Sequence, residues 1–308
     1  MSGAAAGFPP KLRTFHHAAY PAERIAAERE ASVAVCLPAR ECAATVGAIV
    51  RALGELREAG ALDEIVVIDA ASVDGTAEIA AGAGARVLQE ADLLAGCGPV
   101  LGKGDAMWRS LAAVEADVIC FLDADTEDFS AHFATGLLGP LLCEPGVDFV
   151  KAFYRRPLAS DAEKPGEGGG RVNHLTARPA LATFYPELAE VRQPLAGEIA
   201  ARRELLTSLP FATGYGVEIA MLIDVWRAVG LGRMAQVDLE EHRNPHQSLA
   251  ALAPMAATVL ATIARRLEAD GRLTGGADGE VGAAGRGAPL ERPALFALAE
   301  SAQRVTGT

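Results

Sequence analysis

Two carboxylates spaced i, i+2, Asp123 and Asp125, follow directly on the apolar run Val118-Ile119-Cys120-Phe121-Leu122. Such a run reads as a buried strand that delivers both acids to the carboxyl end of a sheet, the edge where open α/β sheets bind ligands. Paired carboxylates there suit a hard divalent cation, Mg2+ or Mn2+, which prefers oxygen ligands and shares its coordination with substrate phosphates. On its own the triplet reads equally as a helix cap followed by a solvated loop acid. Gly102-Lys103-Gly104 places a lysine at a helix start, a position that suits a diphosphate. It lacks the Walker spacing and carries Asp105 where that motif needs its final residues, so a P-loop NTPase is excluded.

Three weaker features join these. Glu218 opens an otherwise apolar helix, either as a charge favoured by the helix dipole or as a ligand for a substrate hydroxyl. Gly168-Gly169-Gly170-Arg171 offers open backbone N–H groups beside a guanidinium, a trap for a small anion, although glycine content alone favours a surface linker. His242 follows a late strand, and a lone histidine reads first as structural.

The elements that must position these residues alternate. Ser32 to Leu37 is an apolar strand broken by Pro38, Thr45 to Glu58 has a helical apolar period, and Glu64 to Asp69 is a second strand ending in an acid. Thr76 to Ala83 is a short helix, Ala85 to Leu88 a third strand, and the segment after Gly102 a helix leading to the Asp123 strand. A helix over Phe129 to Leu142, a strand over Val147 to Tyr154, a helix over Val172 to Leu181 and a strand over Ala235 to Leu239 follow. This alternation predicts an α/β fold with a mostly parallel, doubly wound sheet. Residues 1 to about 30 read as irregular, with one helix around Pro21 to Glu30. Beyond the sheet, Gln247 to Leu267 carries an apolar stripe for self-association or packing on the core. Thr274 to Ala288 reads as a loop and Leu290 to Val305 as a final helix.

The chain has 308 residues, half of them hydrophobic, enough for one large core with an appendage. A net charge of -12 argues against holding nucleic acid by broad phosphate neutralisation. The five cysteines form no C-x-x-C pair and are odd in number, which implies a reducing, cytoplasmic setting. No secretory signal is visible in Met1 to Arg13, and the apolar tract Leu249 to Ala264, interrupted by Pro254, is short for a membrane span.

Taken together, the ordered segments resemble the actinobacterial glucosyl-3-phosphoglycerate synthases and their mannosyl relatives, nucleotide-sugar transferases of the GT-A fold. The matching pieces are Leu37-Pro38-Ala39, Asp69 to Thr76, Gly102 to Ser110, Asp123-Ala124-Asp125, Phe153 to Leu158, Gly168 to Val172, Leu206 to Phe211, Gly214 to Ile219 and His242-Arg243-Asn244. The resemblance implies a Rossmann-like sheet with helices on both faces plus a C-terminal helical extension. It divides the chain into an N-terminal extension (1–30), a transferase domain (31–245, with a nucleotide-sugar half to 126 and an acceptor half from 127) and a helical tail (246–308).

By resemblance, Asp125 and His242 hold the metal, and Pro38, Ala39, Arg40, Glu41, Ala70, Lys103, Asp123 and Ala124 line the nucleotide pocket. Leu195, Gly197 and Glu218 correspond to the sugar pocket, and Arg155, Arg156, Gly170, Arg171, Val172 and Asn173 to the 3-phosphoglycerate pocket. Asp125, Glu218 and Lys103 then carry the chemistry. The implied reaction transfers glucose from UDP-glucose, or mannose from GDP-mannose, to the 2-hydroxyl of 3-phosphoglycerate with retention, in a soluble homodimer. The sequence departs from the family at Arg40-Glu41-Cys42-Ala43 and at Ala70-Ala71, where Asn-Glu-Glu and Ser-Gly are common. Two readings of other classes remain, a non-catalytic nucleotide-sugar-binding protein and a nucleotidyltransferase.

Overall fold

The computed structural model describes residues 11–156, 170–242, 248–274 and 291–298. Its strands are β1 (Arg13–His16), β2 (Val33–Ala39), β3 (Glu64–Asp69), β4 (Arg86–Gln89), β5 (Val118–Phe121), β6 (Phe149–Arg155), β7 (Ile199–Arg202), β8 (Phe211–Ala212), β9 (Met234–Glu241) and β10 (Glu291–Arg292). The helices are α1 (Ala22–Glu28), α2 (Val46–Glu58), α3 (Thr76–Gly82), α4 (Lys103–Ser110), α5 (His132–Cys143), α6 (Arg178–Phe184), α7 (Arg203–Ser208), α8 (Val217–Val229) and α9 (Leu249–Ala269).

Eight strands form one sheet in the order β1-β9-β6-β7-β5-β2-β3-β4, parallel except for β7. Both faces are covered, which is why the strands read as continuous apolar runs rather than alternating ones. In β2, Val33, Val35 and Leu37 enter the core formed with α2 and α5, while Ala34 and Cys36 enter the core formed with α4 and α8.

Several elements differ from the sequence reading. β2 runs through Pro38 to Ala39, in register with Ile68 and Asp69. Proline is tolerated because β5, the neighbour on its N–H side, pairs only as far as Cys36 and Phe121, so no ladder bond is lost. The segment Arg13–His16, read as irregular, is a parallel edge strand on β9. β7 was hidden because Ile199-Ala200-Ala201-Arg202 has no strand-like composition; its place between β5 and β6 overrides propensity.

The helix preceding α6 passes through a π turn at Asn173–Ala177. α9 spans 21 residues and by length and composition could cross a membrane, which the shorter tract read from sequence had excluded. Here Val259, Ile263 and Leu267 are buried against the core, and Arg266 donates to Asp224 of α8 at 2.8 and 2.6 Å. The final helix expected from Leu290 instead begins as β10 on β8, because Pro293 biases its predecessor to extended backbone. The rest of that helix beyond residue 298 and nearly all of the loop from Thr274 lie outside the described residues, as do Pro157, Leu158, Gly168, Gly169, Arg243 and Asn244.

Candidate active site

The parallel strands β2, β3 and β5 end at a common edge. Leu122 N–H extends the ladder by donating to Cys36 O at 3.1 Å, and the next residues turn away. Ala124 is buried, and its carbonyl accepts Thr45 Oγ1 at 2.6 Å, which anchors the turn and leaves Asp123 half-buried and Asp125 exposed on either side.

α4 begins opposite this turn. Lys103 Nζ donates to Asp123 Oδ1 at 2.6 Å and lies 3.2 Å from Glu218 Oε1 in the first turn of α8. Desolvation disfavours the ammonium, but the charges of Asp123 and Glu218 outweigh it and hold Lys103 well above its ordinary value. The glycines around the lysine have separate jobs. A Cβ on Gly104 would lie 2.0 Å from Ala212 O, so this glycine lets α4 approach β8 rather than cradling an anion. Gly197 closes the site from the other half: a Cβ there would lie 2.4 Å from Lys103 Nζ and 2.8 Å from both Asp123 oxygens.

Along the nucleotide-side loops, Ala70 N–H donates to Ala39 O at 2.9 Å beside Pro38. Ala71 has φ +55°, the left-handed region that favours glycine. Arg40 is exposed at the rim. Glu41, also left-handed at φ +54°, is tied into its own loop, its carboxylate accepting Val73 N–H at 3.0 Å and its N–H donating to Ser72 Oγ at 2.9 Å.

His242 emerges from the end of β9 and is fully buried. Its ring stacks on Tyr154 at 4.6 Å, and its Nε2 lies 2.9 Å from Glu198 Oε1 and 3.3 Å from Thr126 Oγ1. Burial opposes protonation, yet the Glu198 carboxylate raises the imidazole above its ordinary value. Burial likewise opposes the Glu198 charge, but His242, Arg156 and Lys103 hold that carboxyl well below the usual range. Nδ1 of His242 is buried and makes no hydrogen bond among the described residues. A divalent cation fits here: Nδ1 is an orphaned ligand atom, and Asp125, although solvent reaches its side chain, is raised by desolvation against the turn and by the repulsion of Asp123, a repulsion that a cation would remove.

Arg155 is exposed at the end of β6. Arg156 turns inward, its guanidinium 5.1 Å from the Tyr154 ring and donating to Tyr154 Oη at 2.8 Å. Gly170 has φ +73° and starts the helical segment containing Arg171 and Val172. Asn173 is buried and couples this helix to the loop over residues 192–197: its Nδ2 donates to Arg192 O at 3.4 Å, and its Oδ1 accepts Leu195 N–H at 3.3 Å.

A glycosyltransferase family 2 model matches residues 34–155. A glucosyl-3-phosphoglycerate synthase of Mycolicibacterium smegmatis is 46% identical over 241 residues, covering 78% of this chain and 79% of that protein. The chain belongs to the glucosyl-3-phosphoglycerate synthase family. The Mycobacterium tuberculosis synthase, solved with Mn2+, UDP-glucose and phosphoglyceric acid, superposes with TM-score 0.81 at 37% identity, covering 94% of this chain and all of that one. Mannosyl-3-phosphoglycerate synthase from Rubrobacter xylanophilus superposes with TM-score 0.85 at 42% identity, over 93% and 97% of the two chains.

Within this synthase fold, two buried charged residues had no role in the sequence reading. Glu198 holds the histidine and accepts Tyr154 Oη at 2.8 Å. Lys151, buried in the middle of β6, donates to Ala196 O at 2.8 Å and so supports the Leu195–Gly197 loop from below. Desolvation pushes Lys151 down to about 8. The available signal was a charged residue inside an apolar strand run, Lys151, and an acid directly after a glycine that approaches the site, Glu198.

Proposed function

We propose that the protein transfers glucose from UDP-glucose to the 2-hydroxyl of 3-phosphoglycerate with retention of anomeric configuration. The observation that carries this reading is the Asp123–Lys103–Glu218 constellation closed by Gly197, with Asp125 two residues past Asp123 and His242 held by Glu198 with its Nδ1 unpartnered. When bound by Asp125 and His242, Mg2+ or Mn2+ supplies Lewis acidity toward the leaving diphosphate. Lys103 adds fixed positive charge at the same group. Glu218 and the backbone of Leu195 to Gly197 orient the hexose, and Pro38, Ala39, Arg40 and Ala70 border the nucleotide. Arg171 with Arg155 draws the doubly anionic acceptor so that its hydroxyl lies beside the anomeric carbon. Glu218 is engaged by Lys103, which favours front-face attack, with a phosphate oxygen of the leaving group taking the hydroxyl proton, over a covalent glycosyl–Glu218 route.

Mannosyl transfer from GDP-mannose is the second reading, supported by the likeness to the Rubrobacter synthase. Turnover assays pairing each nucleotide sugar with 3-phosphoglycerate, read by product NMR, test both. Glucosyl-3-phosphoglycerate formed fastest from UDP-glucose is the expected result, and a faster mannosyl product would transfer the assignment to the second reading. Donor binding with no product from any nucleotide hexose would overturn the enzymatic reading. We also infer a cytoplasmic homodimer, supported by five free thiols and by Leu249 and Leu260 exposed on α9. Light scattering after size exclusion tests the dimer, and a monomer mass at micromolar concentration would refute it.

A further inference from the structure

The β1 edge of the sheet holds a second group of ligand-type side chains that hexosyl transfer does not use. β1 pairs with β9 as far as His16 and Asp238. Beyond that point the β9 register on β6 slips, Phe153 facing Asp238 but Arg155 facing Glu241, which is a β-bulge. Glu240 sits in the bulge at φ +66° with its N–H donating to Asp238 Oδ1 at 2.9 Å. The carboxylate it presents lies 3.6 Å from His16 Nε2 and 3.3 Å from His17 Nε2. Despite that approach, His17 Nε2 is buried and makes no hydrogen bond among the described residues. The two imidazole rings stack at 4.6 Å, and His132 covers His17 at 4.4 Å with its own Nε2 3.2 Å from Leu239 O.

We propose that His16, His17 and Glu240 form a second metal site, for a borderline transition cation of the zinc class, which clamps the N-terminal strand to the β9 bulge. All three ligand atoms lie within 4.8 Å of one another. Two imidazoles and one carboxylate are a zinc-type donor set, whereas Mg2+ prefers oxygen ligands and retained waters. Tetrahedral bonds of about 2.0–2.1 Å set ligand atoms roughly 3.3 Å apart. Two of the three separations, 3.3 and 3.6 Å, are close to that spacing, and the His16–His17 pair lies within 4.8 Å. Coordination through His16 Nε2 moves its proton to Nδ1 and releases the 3.2 Å bond from Ala18 N–H. That N–H is exposed, so water replaces the lost acceptor.

The test uses Co2+ as a spectroscopic probe of the full chain, with Asp125→Asn introduced to weaken metal binding at the transferase site. Intense visible bands of tetrahedral cobalt at one equivalent are expected in this background and in the unaltered protein. His17→Ala should weaken cobalt binding at least tenfold. Glu240→Gly serves as the folding control, since glycine accepts φ +66° without strain; its metal-free Tm should match or exceed that of the parent while the bands vanish. Zn2+ should raise the Tm of the parent and not of Glu240→Gly. Absence of tetrahedral bands in the parent, or bands that persist unchanged in Glu240→Gly, would overturn the proposal.

Discussion

Two charge clusters meet at the site, and they are built on different principles. Lys103, Asp123 and Glu218 form a partly open triad, with side chains 29%, 21% and 14% exposed. Glu198 and His242 are closed off, at 1% and 0%, and are walled in by Tyr154, Phe133 and Arg156. An open triad can exchange partners: a diphosphate arriving at Lys103 replaces one carboxylate with another anion at little desolvation cost. The closed cluster cannot exchange, because uncovering one member leaves a buried charge unpaired. Its role is therefore to fix one imidazole, with Nε2 turned to Glu198 and Nδ1 turned free. The comparison assigns adaptability to the Lys103 cluster and rigidity to the His242 imidazole.

Gly197→Ala breaks the open cluster most strongly. The new methyl meets Lys103 Nζ and Asp123, and displacing both by about 1 Å is expected to lower kcat/KM roughly 100-fold with the fold intact. Steady-state kinetics together with an unchanged Tm checks this, and an alanine variant within twofold of the parent would show that the triad tolerates displacement. Glu198→Gln sharpens the closed cluster. The amide keeps a partner for Tyr154 Oη but loses the charge that orients His242, so Mn2+ affinity should fall about 10- to 100-fold. Calorimetric titration reads this directly, and unchanged affinity would reduce Glu198 to a packing role.

The smallest effect concerns Lys151, which lies beneath both clusters. Its folded value of about 8 is below the ordinary 10.5, so below pH 8 both folded and unfolded chains carry the proton and stability is indifferent to pH through this group. Between these values the unfolded chain binds more protons, and folding gains stability as pH rises. Comparing wild type with Lys151→Met by denaturant unfolding at pH 7.5 and 9.5 should therefore move the difference in favour of wild type by about 1–2 kcal/mol. A difference independent of pH would contradict the depressed value.

Much of the open cluster was legible in sequence, and little of the closed one. Asp123, Asp125 and Lys103 sit where local pattern is strongest, at the end of an apolar strand and the start of a helix, so type and spacing announced them. His242 was visible only through resemblance, because its partner Glu198 lies far away in sequence, beside a strand whose Ala200 and Ala201 give no strand signal. β1 escaped for a related reason: four residues on a sheet edge carry too little pattern, and its pairing with β9 spans most of the chain. Gly104 was legible as a residue but not in its purpose, since only the packing of α4 on Ala212 shows why a side chain is forbidden there. Local chemistry was readable; long-range burial that pairs charges was not.

The central claim is that Asp125, from the end of one strand, and His242, from the end of another and fixed by Glu198, hold a single cation against the donor diphosphate. Calorimetry of UDP binding with and without Mn2+ tests it in the parent, in Asp125→Ala, in His242→Ala and in the double variant. The account predicts that each single substitution abolishes the metal-dependent part of the affinity and that the double variant is no weaker than either. Metal-dependent UDP binding that survives in either single variant would contradict it.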